Sequence, residues 1–285
     1  MTQTVIGVVG AGTMGSGIAQ LAAQKGFYVT LFDINESLVR NGYNRIESAL
    51  TKLMDKGKIT ESERDATLSR IQTTCSLVDL SSVSVVIEAV VEDLKVKQDI
   101  FRQLDEILSP EIVLATNTSS LSITSLAEVT KHPERIAGMH FFNPAPVMKL
   151  IEVIRGYKSS DETIATLMQL ARDLGKDPIE VKKDSPGFIV NRLMIPHLIE
   201  AIRLLEEGVA SAEDIDKAIT LGLNYPMGPF ALQDFAGVDI GLHVMDYLYE
   251  EFKDDRFAAP ISLRRLIRAG RLGKKTGAGW YDYNK

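Results

Sequence analysis

The sequence Thr4-Val5-Ile6-Gly7-Val8-Val9-Gly10-Ala11-Gly12-Thr13-Met14-Gly15 decides the fold of this chain. Its first six residues form an apolar, largely β-branched run, which predicts a strand buried on both faces. The G-x-G-x-x-G that follows is typical of a turn leading from a strand into a helix. The spacing predicts that helix from about Met14 to Lys25, where Gly26 ends it. A second strand is expected over 27–32, and it ends at Asp33.

Each glycine in this turn has its own structural role. Gly10 permits a tight turn, Gly12 lets backbone N–H groups approach a pyrophosphate, and Gly15 lets the helix pack closely on the sheet. Asp33 lies 18 residues beyond Gly15, near the spacing at which an acid accepts hydrogen bonds from an adenine ribose. The motif alone is a weak signal, but here strand, helix, second strand and acid follow in register. They favour a dinucleotide site over an ordinary loop, and the carboxylate favours NAD over NADP because it repels a 2′-phosphate.

The composition narrows the class of protein. The chain has 285 residues, 45% of them hydrophobic, which is enough for one large core or two modest ones. A net charge of −6 argues against a general nucleic-acid binder. The single cysteine, Cys75, excludes an intrachain disulfide framework, and the sequence has no leader pattern or long apolar span. We therefore expect a soluble, cytoplasmic protein that binds neither nucleic acid nor membranes.

The chain after Asp33 contains more helix than a simple crossover between strands needs. A helical pattern runs over 36–56, and Thr60-Glu61-Ser62-Glu63 predicts a capping box that opens another helix. We interpret the pair as an inserted helical hairpin. Lys52, Lys56 and Lys58 put positive charge near its turn, and composition alone favours a solvated surface there.

Two further strands of this half end in polar residues. Apolar runs at 83–90 and 112–116 predict buried strands, followed by Glu92 and by residues 117–120. In an open α/β sheet a ligand lies beyond the carboxyl ends of the strands, so Glu92 and Ser119 are placed to meet it. Residues 117–120 suit turn and helix-cap chemistry equally well, and position alone does not separate the two interpretations.

A histidine and a glutamate occupy neighbouring predicted strands. His140 lies near the end of the strand within 135–142, and Glu152 is the one carboxylate in the apolar strand 149–154. Burying a carboxylate is costly unless it is paired. A His–Glu pair satisfies that carboxylate and fixes the imidazole tautomer. A core histidine with a backbone partner and a solvent-facing glutamate fits the sequence at least as well.

The pattern becomes helical after the last predicted strand. Ser185 is a candidate N-cap with Pro186 at the first helical position. A nearly all-round apolar helix follows to about Leu205, which implies deep burial or a subunit interface. Asn191 is polar within that helix and needs either a ligand or an internal partner. The glycine-rich, basic end at 273–281 fits a loop over an anionic cofactor or a mobile tail.

These patterns predict an α/β chain of two domains. Residues 1–184 form an N-terminal Rossmann-like doubly wound sheet with a helical hairpin insertion, which binds NAD. Residues 185–285 form an all-α C-terminal domain. Its apolar helix favours a homodimer through that domain.

Seven motifs follow one another along nearly the whole chain. They are Gly10 to Gly15, Glu92 to Lys97, Asn117 to Leu121, Gly138 to Pro144, Lys183 to Arg192, Tyr225 to Pro229 and Gly273 to Gly277. In this order they resemble the L-3-hydroxyacyl-CoA dehydrogenase family, and the shared order makes the resemblance highly specific. The chain length is similar to that of the stand-alone members acting on 3-hydroxybutyryl-CoA, not to that of the multifunctional β-oxidation proteins.

The resemblance implies NAD-dependent, reversible oxidation of a (3S)-3-hydroxyacyl-CoA, short-chain for the stand-alone members, to the 3-ketoacyl-CoA. It implies that His140 is the general base and that Glu152 holds and polarises it. Ser119 and Asn191 are implied to position the substrate, Lys56 to contact the CoA moiety, and no metal is implied. The implied cofactor contacts are Gly10, Ala11, Gly12, Thr13, Met14, Gly15, Asp33, Glu92, Lys97, Ser119, Asn143 and Lys275.

Two other functions stay open at this point. A related dehydrogenase acting on a free hydroxy acid or sugar acid uses the same base without CoA, and Lys56 is the residue at stake. A non-catalytic NADH-binding protein on the same fold is the second alternative, because a fold does not fix a function. The joint presence of His140, Glu152, Ser119 and Asn191 argues against it.

Overall fold

The computed structural model describes residues 4–284, which form two compact units; the first ends at Ser185 and the second begins at Pro186. The strands are β1 (Val5–Val9), β2 (Tyr28–Phe32), β3 (Ile71–Thr74), β4 (Val85–Glu88), β5 (Val113–Thr116), β6 (Ile136–Phe141), β7 (Leu150–Ile154) and β8 (Asp177–Val181). The helices are α1 (Thr13–Gln24), α2 (Glu36–Asp55), α3 (Glu61–Leu68), α4 (Leu94–Ile107), α5 (Ile123–Ala127), α6 (Asp161–Asp173), α7 (Val190–Glu206), α8 (Ala212–Gly222), α9 (Pro229–Ala236), α10 (Val238–Phe252) and α11 (Ile261–Arg268).

The first unit is built on one sheet in the order β3-β2-β1-β4-β5-β6-β7-β8. Neighbouring strands are parallel except β6 and β7, which are antiparallel. The chain order reverses between β1 and β4, and such a reversal creates a crevice at the carboxyl ends of the strands. The predicted fold, a Rossmann-like sheet followed by a helical domain, is confirmed.

The strand β1 and the helix α1 fix the turn between them. Ile6, Val8 and Val9 are fully buried in β1, as the apolar run predicts for a strand covered on both faces. The helix α1 turns Ile18 and Ala19 toward the same core. Because both flanking elements are packed, the glycine turn is held from both sides.

The inserted hairpin consists of α2 and α3. Asn35 caps α2 by accepting a hydrogen bond from the N–H of Leu38, and the predicted capping box of Thr60 and Glu63 is present at α3. Ile46 and Leu50 of α2 are buried, whereas Leu38 is exposed. The buried stripe packs α2 against α1, beside the glycine turn.

The predicted helix start at Ser185 and Pro186 is wrong. The helix α7 begins at Val190, with Ile189 as its N-cap. Gly187 and Phe188 both have positive φ angles, 74° and 51°, so the backbone turns left-handed and cannot continue from Pro186 into a right-handed helix. The predicted strand at 83–90 is also shorter, because β4 ends at Glu88.

The second unit buries one face of α7 and keeps another exposed. Ile195, Leu198 and Ile199 belong to its core, but Leu193 is 72% exposed. The helix is therefore not buried all round, and its role in a subunit interface stays a prediction. Pro196 lies inside α7 and removes one backbone donor from it.

A buried aspartate ties the C-terminal segment to α9. Asp234 is 1% exposed, and its carboxylate accepts hydrogen bonds from the backbone N–H groups of Trp280 and Tyr281 and from the hydroxyl of Tyr283. Burial and the negative charge of Asp234 raise the pKa of Tyr283 to about 12. These contacts argue against a mobile tail at 273–281.

Candidate active site

The glycine turn forms an open anion-binding end at α1. A Cβ at Gly15 would lie 1.7 Å from the carbonyl oxygen of Gly10, so only glycine permits this contact of helix and turn. Gly12 is the N-cap of α1, has no side-chain cap, and no acidic residue lies in the first turn, which includes Thr13 and Met14. A Cβ at Gly12 would meet nothing within 4 Å. The exposed helix N-terminus is therefore shaped for a phosphate.

Asp33 follows β2 at the same edge of the sheet. Its Oδ2 accepts a hydrogen bond from the N–H of Ala11 at 2.8 Å, and its Oδ1 accepts one from the N–H of Ile34. The carboxylate thus supports the glycine turn directly. Carboxylate oxygens carry further lone pairs, so the ribose contact expected from the sequence stays a prediction that this geometry allows.

A buried ion-pair cluster lies beyond β4. The ammonium of Lys97, a side chain only 1% exposed, lies 2.7 Å from Glu88 Oε1 and 3.5 Å from Glu92 Oε2. Glu92 also accepts hydrogen bonds from the hydroxyl of Thr118 and from the backbone and hydroxyl of Ser119. The sequence-predicted residues Glu92, Lys97 and Ser119 therefore meet. The cofactor contact expected of Lys97 stays a prediction, since its amine already has two carboxylate partners.

Glu88 also belongs to this cluster and is not among the site residues predicted from the sequence. It is fully buried at the end of β4, and it accepts hydrogen bonds from Lys97 Nζ, the hydroxyl of Thr116 and the N–H of Val90. The sequence does indicate a paired carboxylate at Glu88. A carboxylate at the end of an apolar strand requires a partner for the same reason that Glu152 does.

From this ion-pair cluster we predict how the thermal stability of the protein changes at acid pH. Burial alone raises the pKa of the Glu92 carboxyl, but the Lys97 charge and the hydrogen bonds from Thr118 and Ser119 outweigh it, so the pKa is lowered. The stabilisation is present above the ordinary carboxyl pKa and is lost as pH falls through the lowered value. We expect Glu92→Gln to lower Tm by about 3–8 °C at pH 7. The deficit relative to wild type should shrink below about pH 4.5.

The measurement is thermal unfolding of the two proteins without ligand from pH 7 to pH 3.5. Glu106→Gln is the matched control, because Glu106 is an exposed carboxylate on α4, the helix that also carries Lys97. A Tm deficit for Glu92→Gln that stays constant with pH would show that the carboxylate charge contributes nothing.

His140 and Glu152 face each other across β6 and β7. They are directly paired in the antiparallel register, and Nδ1 of His140 lies 2.8 Å from Oε2 of Glu152. The histidine is 6% exposed and the glutamate is fully buried. A carboxylate at Nδ1 fixes the ring orientation and the tautomer, leaving Nε2 as the proton acceptor. Glu152 is therefore not solvent-facing, and its buried carboxylate has the partner that burial of a charge requires.

Four candidate residues remain: Lys56, Asn143, Asn191 and Lys275. Asn143 is exposed in the loop between β6 and β7, and Lys56 is exposed at the C-cap of α2. Asn191 and Lys275 belong to the second unit; Asn191 lies in the first turn of α7, and the Lys275 ammonium donates to Asp239 Oδ2 at 2.8 Å. Their roles stay predictions.

Lys176 is a buried group that no motif marks. Its ammonium donates hydrogen bonds to the carbonyl oxygens of Ala145 and Met148, both at 2.7 Å. Burial lowers the pKa of Lys176, and the nearby charge of Lys25 lowers it further. These bonds secure the loop between β6 and β7. The partners are backbone carbonyls 28 and 31 residues away, so the sequence carries no signal for them.

Two classes of site are not found in the described part of the chain. None of the helices within residues 4–284 is long and apolar enough to cross a membrane. Among the same residues, no three His, Cys, Asp or Glu side chains converge as metal ligands.

Both parts of the chain match the models of one known protein family. Residues 5–185 match the family model for the NAD binding domain of 3-hydroxyacyl-CoA dehydrogenase, and residues 187–283 match its C-terminal domain. The chain belongs to the 3-hydroxyacyl-CoA dehydrogenase family. As a member it is an oxidoreductase with NAD as its cofactor, in agreement with the glycine turn and Asp33.

Individual members of the family are similar over nearly their full lengths. The probable 3-hydroxybutyryl-CoA dehydrogenase of Bacillus subtilis is 46% identical, over 98% of this chain and 96% of the relative. The 3-hydroxybutyryl-CoA dehydrogenase of Clostridioides difficile is 45% identical, over 98% and 99%. The crystal structure of (S)-3-hydroxybutyryl-CoA dehydrogenase from Ralstonia eutropha matches with a TM-score of 0.95 and 46% identity, over 100% of both chains.

Proposed function

We propose that this protein interconverts (3S)-3-hydroxyacyl-CoA and 3-ketoacyl-CoA with NAD, and that 3-hydroxybutyryl-CoA is its short-chain substrate. The observation that carries the proposal is the His140–Glu152 contact at the sheet edge that also bears the glycine turn. Relatives named 3-hydroxybutyryl-CoA dehydrogenase, about 46% identical over nearly full length, support the substrate class.

The residues of the first unit fit the cofactor. Gly12 leaves open space above an uncapped helix N-terminus, which suits the pyrophosphate, and Asp33 follows β2, where an adenine ribose binds in such folds. Glu92, Lys97 and Asn143 are the further contacts that we assign in this unit, and Lys275 in the second. When bound there, NAD would supply the acceptor for the hydride that leaves the substrate carbon.

In this mechanism His140 moves the proton. Glu152 holds the imidazole through Nδ1, so Nε2 takes the proton of the 3-hydroxyl group during oxidation and returns it to the ketone during reduction. Because Glu152 is fully buried, its charge acts on the imidazole with little screening by water and stabilises the imidazolium that forms. The proposed catalytic unit is therefore an imidazole whose orientation and charge are set by one carboxylate.

Three residues are assigned to the substrate. Ser119 and Asn191 position the hydroxyacyl group, and Lys56 binds the CoA moiety as a cation for its phosphates. The hydroxyl of Ser119 is held against Glu92, which gives it a defined place at the end of β5. Lys56 is exposed at the end of α2, where a large, charged ligand can reach it.

The second unit is assigned a role in dimerisation. Leu193, Leu221, Leu223 and Ile240 are large apolar side chains that are exposed there. Exposed apolar surface of this extent favours contact with a second copy. Light scattering should give twice the chain mass of 31.4 kDa, and a monomer mass would overturn the assignment.

We also place the protein in the cytoplasm, where an exposed free thiol such as Cys75 stays reduced.

The decisive experiment is NADH oxidation on mixing with acetoacetyl-CoA, followed by absorbance. Rapid loss of NADH, with free acetoacetate far slower, supports the proposed reaction and a CoA-dependent substrate site. Comparable rates with both substrates would favour a dehydrogenase of free acids. Tight NADH binding without turnover of either would leave the non-catalytic function.

The cofactor assignment predicts the effect of a single methyl group. Gly12 has φ −66° and ψ −167°, which alanine adopts without strain, and no protein atom lies within 4 Å of its Cβ position. We expect Gly12→Ala to keep its Tm within about 2 °C but to weaken NADH binding by at least about tenfold, because the methyl group occupies the approach of the pyrophosphate. Gly222→Ala, also an open position, is the control. Unchanged NADH affinity in Gly12→Ala would place the pyrophosphate elsewhere.

A further inference from the structure

The helix α2 contacts the glycine turn through an arginine. Nη1 of Arg45 donates hydrogen bonds to the carbonyl oxygen of Ala11 at 3.1 Å and to the hydroxyl of Ser16 at 3.3 Å. Gly42, one turn earlier on α2, makes this approach possible, because a Cβ there would lie 2.6 Å from both the Cβ and the carbonyl oxygen of Ala11. The inserted hairpin is therefore packed directly onto the turn.

The two peptide groups that flank Ala11 are held by hydrogen bonds and by close packing. The N–H of Ala11 donates to Asp33, and the carbonyl of Gly10 on the same peptide lies against Gly15. The carbonyl of Ala11 accepts from Arg45. A trans peptide is planar, with its C=O and N–H pointing in opposite directions, so the Arg45 bond also fixes the direction of the Gly12 N–H.

The next carbonyl of the turn is also directed into the protein. The carbonyl oxygen of Gly12 accepts hydrogen bonds from the N–H of Ser16 at 2.9 Å and from its hydroxyl at 2.6 Å. Arg45 contacts that same hydroxyl. One guanidinium group thus touches both the Ala11 carbonyl and the serine that holds the Gly12 carbonyl. With its carbonyls engaged, the turn presents N–H groups to an anion.

We propose that Arg45 is a positioning residue for the cofactor, which holds the Ala11 carbonyl so that the Gly12 amide is presented to the pyrophosphate. This inference rests on the proposed function, because it assumes that NAD binds at this turn. Arg45 does not touch the reacting atoms in this account. It acts on how tightly the cofactor binds, not on the chemical step.

The test compares two arginines of the same helix. Arg45→Met removes the contact, and Arg40→Met removes an equal charge from α2. The Arg40 side chain is exposed and, among residues 4–284, makes no side-chain hydrogen bond or ion pair. We expect Arg45→Met to raise the dissociation constant and KM of NADH on the order of tenfold. Its kcat at saturating NADH, its KM for acetoacetyl-CoA and its Tm should stay near wild type. Arg40→Met should change the NADH constants by less than about twofold.

Other outcomes separate the alternatives. Equal weakening in both methionine variants would overturn the proposal in favour of general attraction between charges. A joint loss of Tm, kcat and NADH affinity in Arg45→Met would assign a merely structural role and overturn it as well. Arg45→Lys keeps a donor near the Ala11 carbonyl and should bind NADH more tightly than Arg45→Met; an affinity as low as that of the methionine variant contradicts the proposal.

The lysine variants also serve if Arg45→Met does not fold. In that case Arg45→Lys should weaken NADH binding by about threefold relative to Arg40→Lys, because a single ammonium does not reproduce the guanidinium geometry. Identical affinities of the two lysine variants would overturn the proposal. A wild-type protein that binds no NADH would instead refute the proposed function itself, and the inference with it.

Discussion

Replacing His140 with glutamine is expected to lower kcat by about 10³-fold while leaving the NADH dissociation constant within about twofold of wild type. Glutamine has a similar length and can still form a hydrogen bond with Glu152, but it cannot take up the proton of the 3-hydroxyl group. The buried site has little water to replace the base, since His140 is almost fully enclosed. Steady-state rates with acetoacetyl-CoA and a fluorescence titration with NADH measure the two quantities separately.

A second histidine of the chain provides the control. His132 lies 3.1 Å from the carboxylate of Glu134, but this pair is exposed. We expect His132→Gln to keep its kcat within about twofold, because an exposed, solvated contact contributes little. If His140→Gln turned over normally, the proton would be moved by another group, and the mechanism proposed here would be wrong.

The architecture of the first unit was predictable because its signals are local. The apolar run of β1, the glycine turn and the acid after β2 lie within 30 consecutive residues, and their order alone indicates the fold. The capping box at Thr60 and Glu63 is equally local, and it is present as predicted. Short elements gave no such signal: β3 has four residues with the sequence IQTT, and α5 has only five. Neither is long enough to show a hydrophobic period.

The helix start at residue 185 shows how a local rule is overridden. Serine followed by proline is a common opening of a helix. Here Gly187 and Phe188 adopt positive φ angles, and the helix begins three residues after Gly187. Phe188 is buried, so packing of its ring stabilises a backbone conformation that a phenylalanine otherwise avoids. Sequence alone contains the residues but not the packing.

The candidate site was only partly accessible from sequence for the same reason. Asp33, Glu92 and Ser119 follow strands, so the rule on strand ends identified them. His140 and Glu152 meet because β6 and β7 are antiparallel, and the sequence does not fix that register. Arg45 bonds with a carbonyl 34 residues away. A contact of an exposed side chain with a backbone oxygen has no motif, and only the structure reveals it.

Replacing Glu152 with glutamine is expected to lower kcat on the order of 10²-fold with little change in the KM for NADH. The side chain is fully buried, and its oxygen lies 2.8 Å from Nδ1 of His140. Glutamine keeps the size and one acceptor but removes the negative charge that stabilises the imidazolium. Its amide group can also turn its NH₂ toward Nδ1, which would place the proton on Nε2 and block proton uptake there. The loss should therefore appear in kcat.

The control removes another carboxylate from the same end of the sheet. Glu180 lies in β8, where it is paired in register with Val153, the neighbour of Glu152, and it forms an ion pair with Arg155 at 3.0 Å. Glu180→Gln should keep kcat near wild type, because its charge is partly exposed and contacts no group in the mechanism. The double variant His140→Gln, Glu152→Gln should be no slower than His140→Gln alone, since the glutamate acts only through the histidine. Additive losses in the double variant would show that Glu152 has a second role, independent of His140.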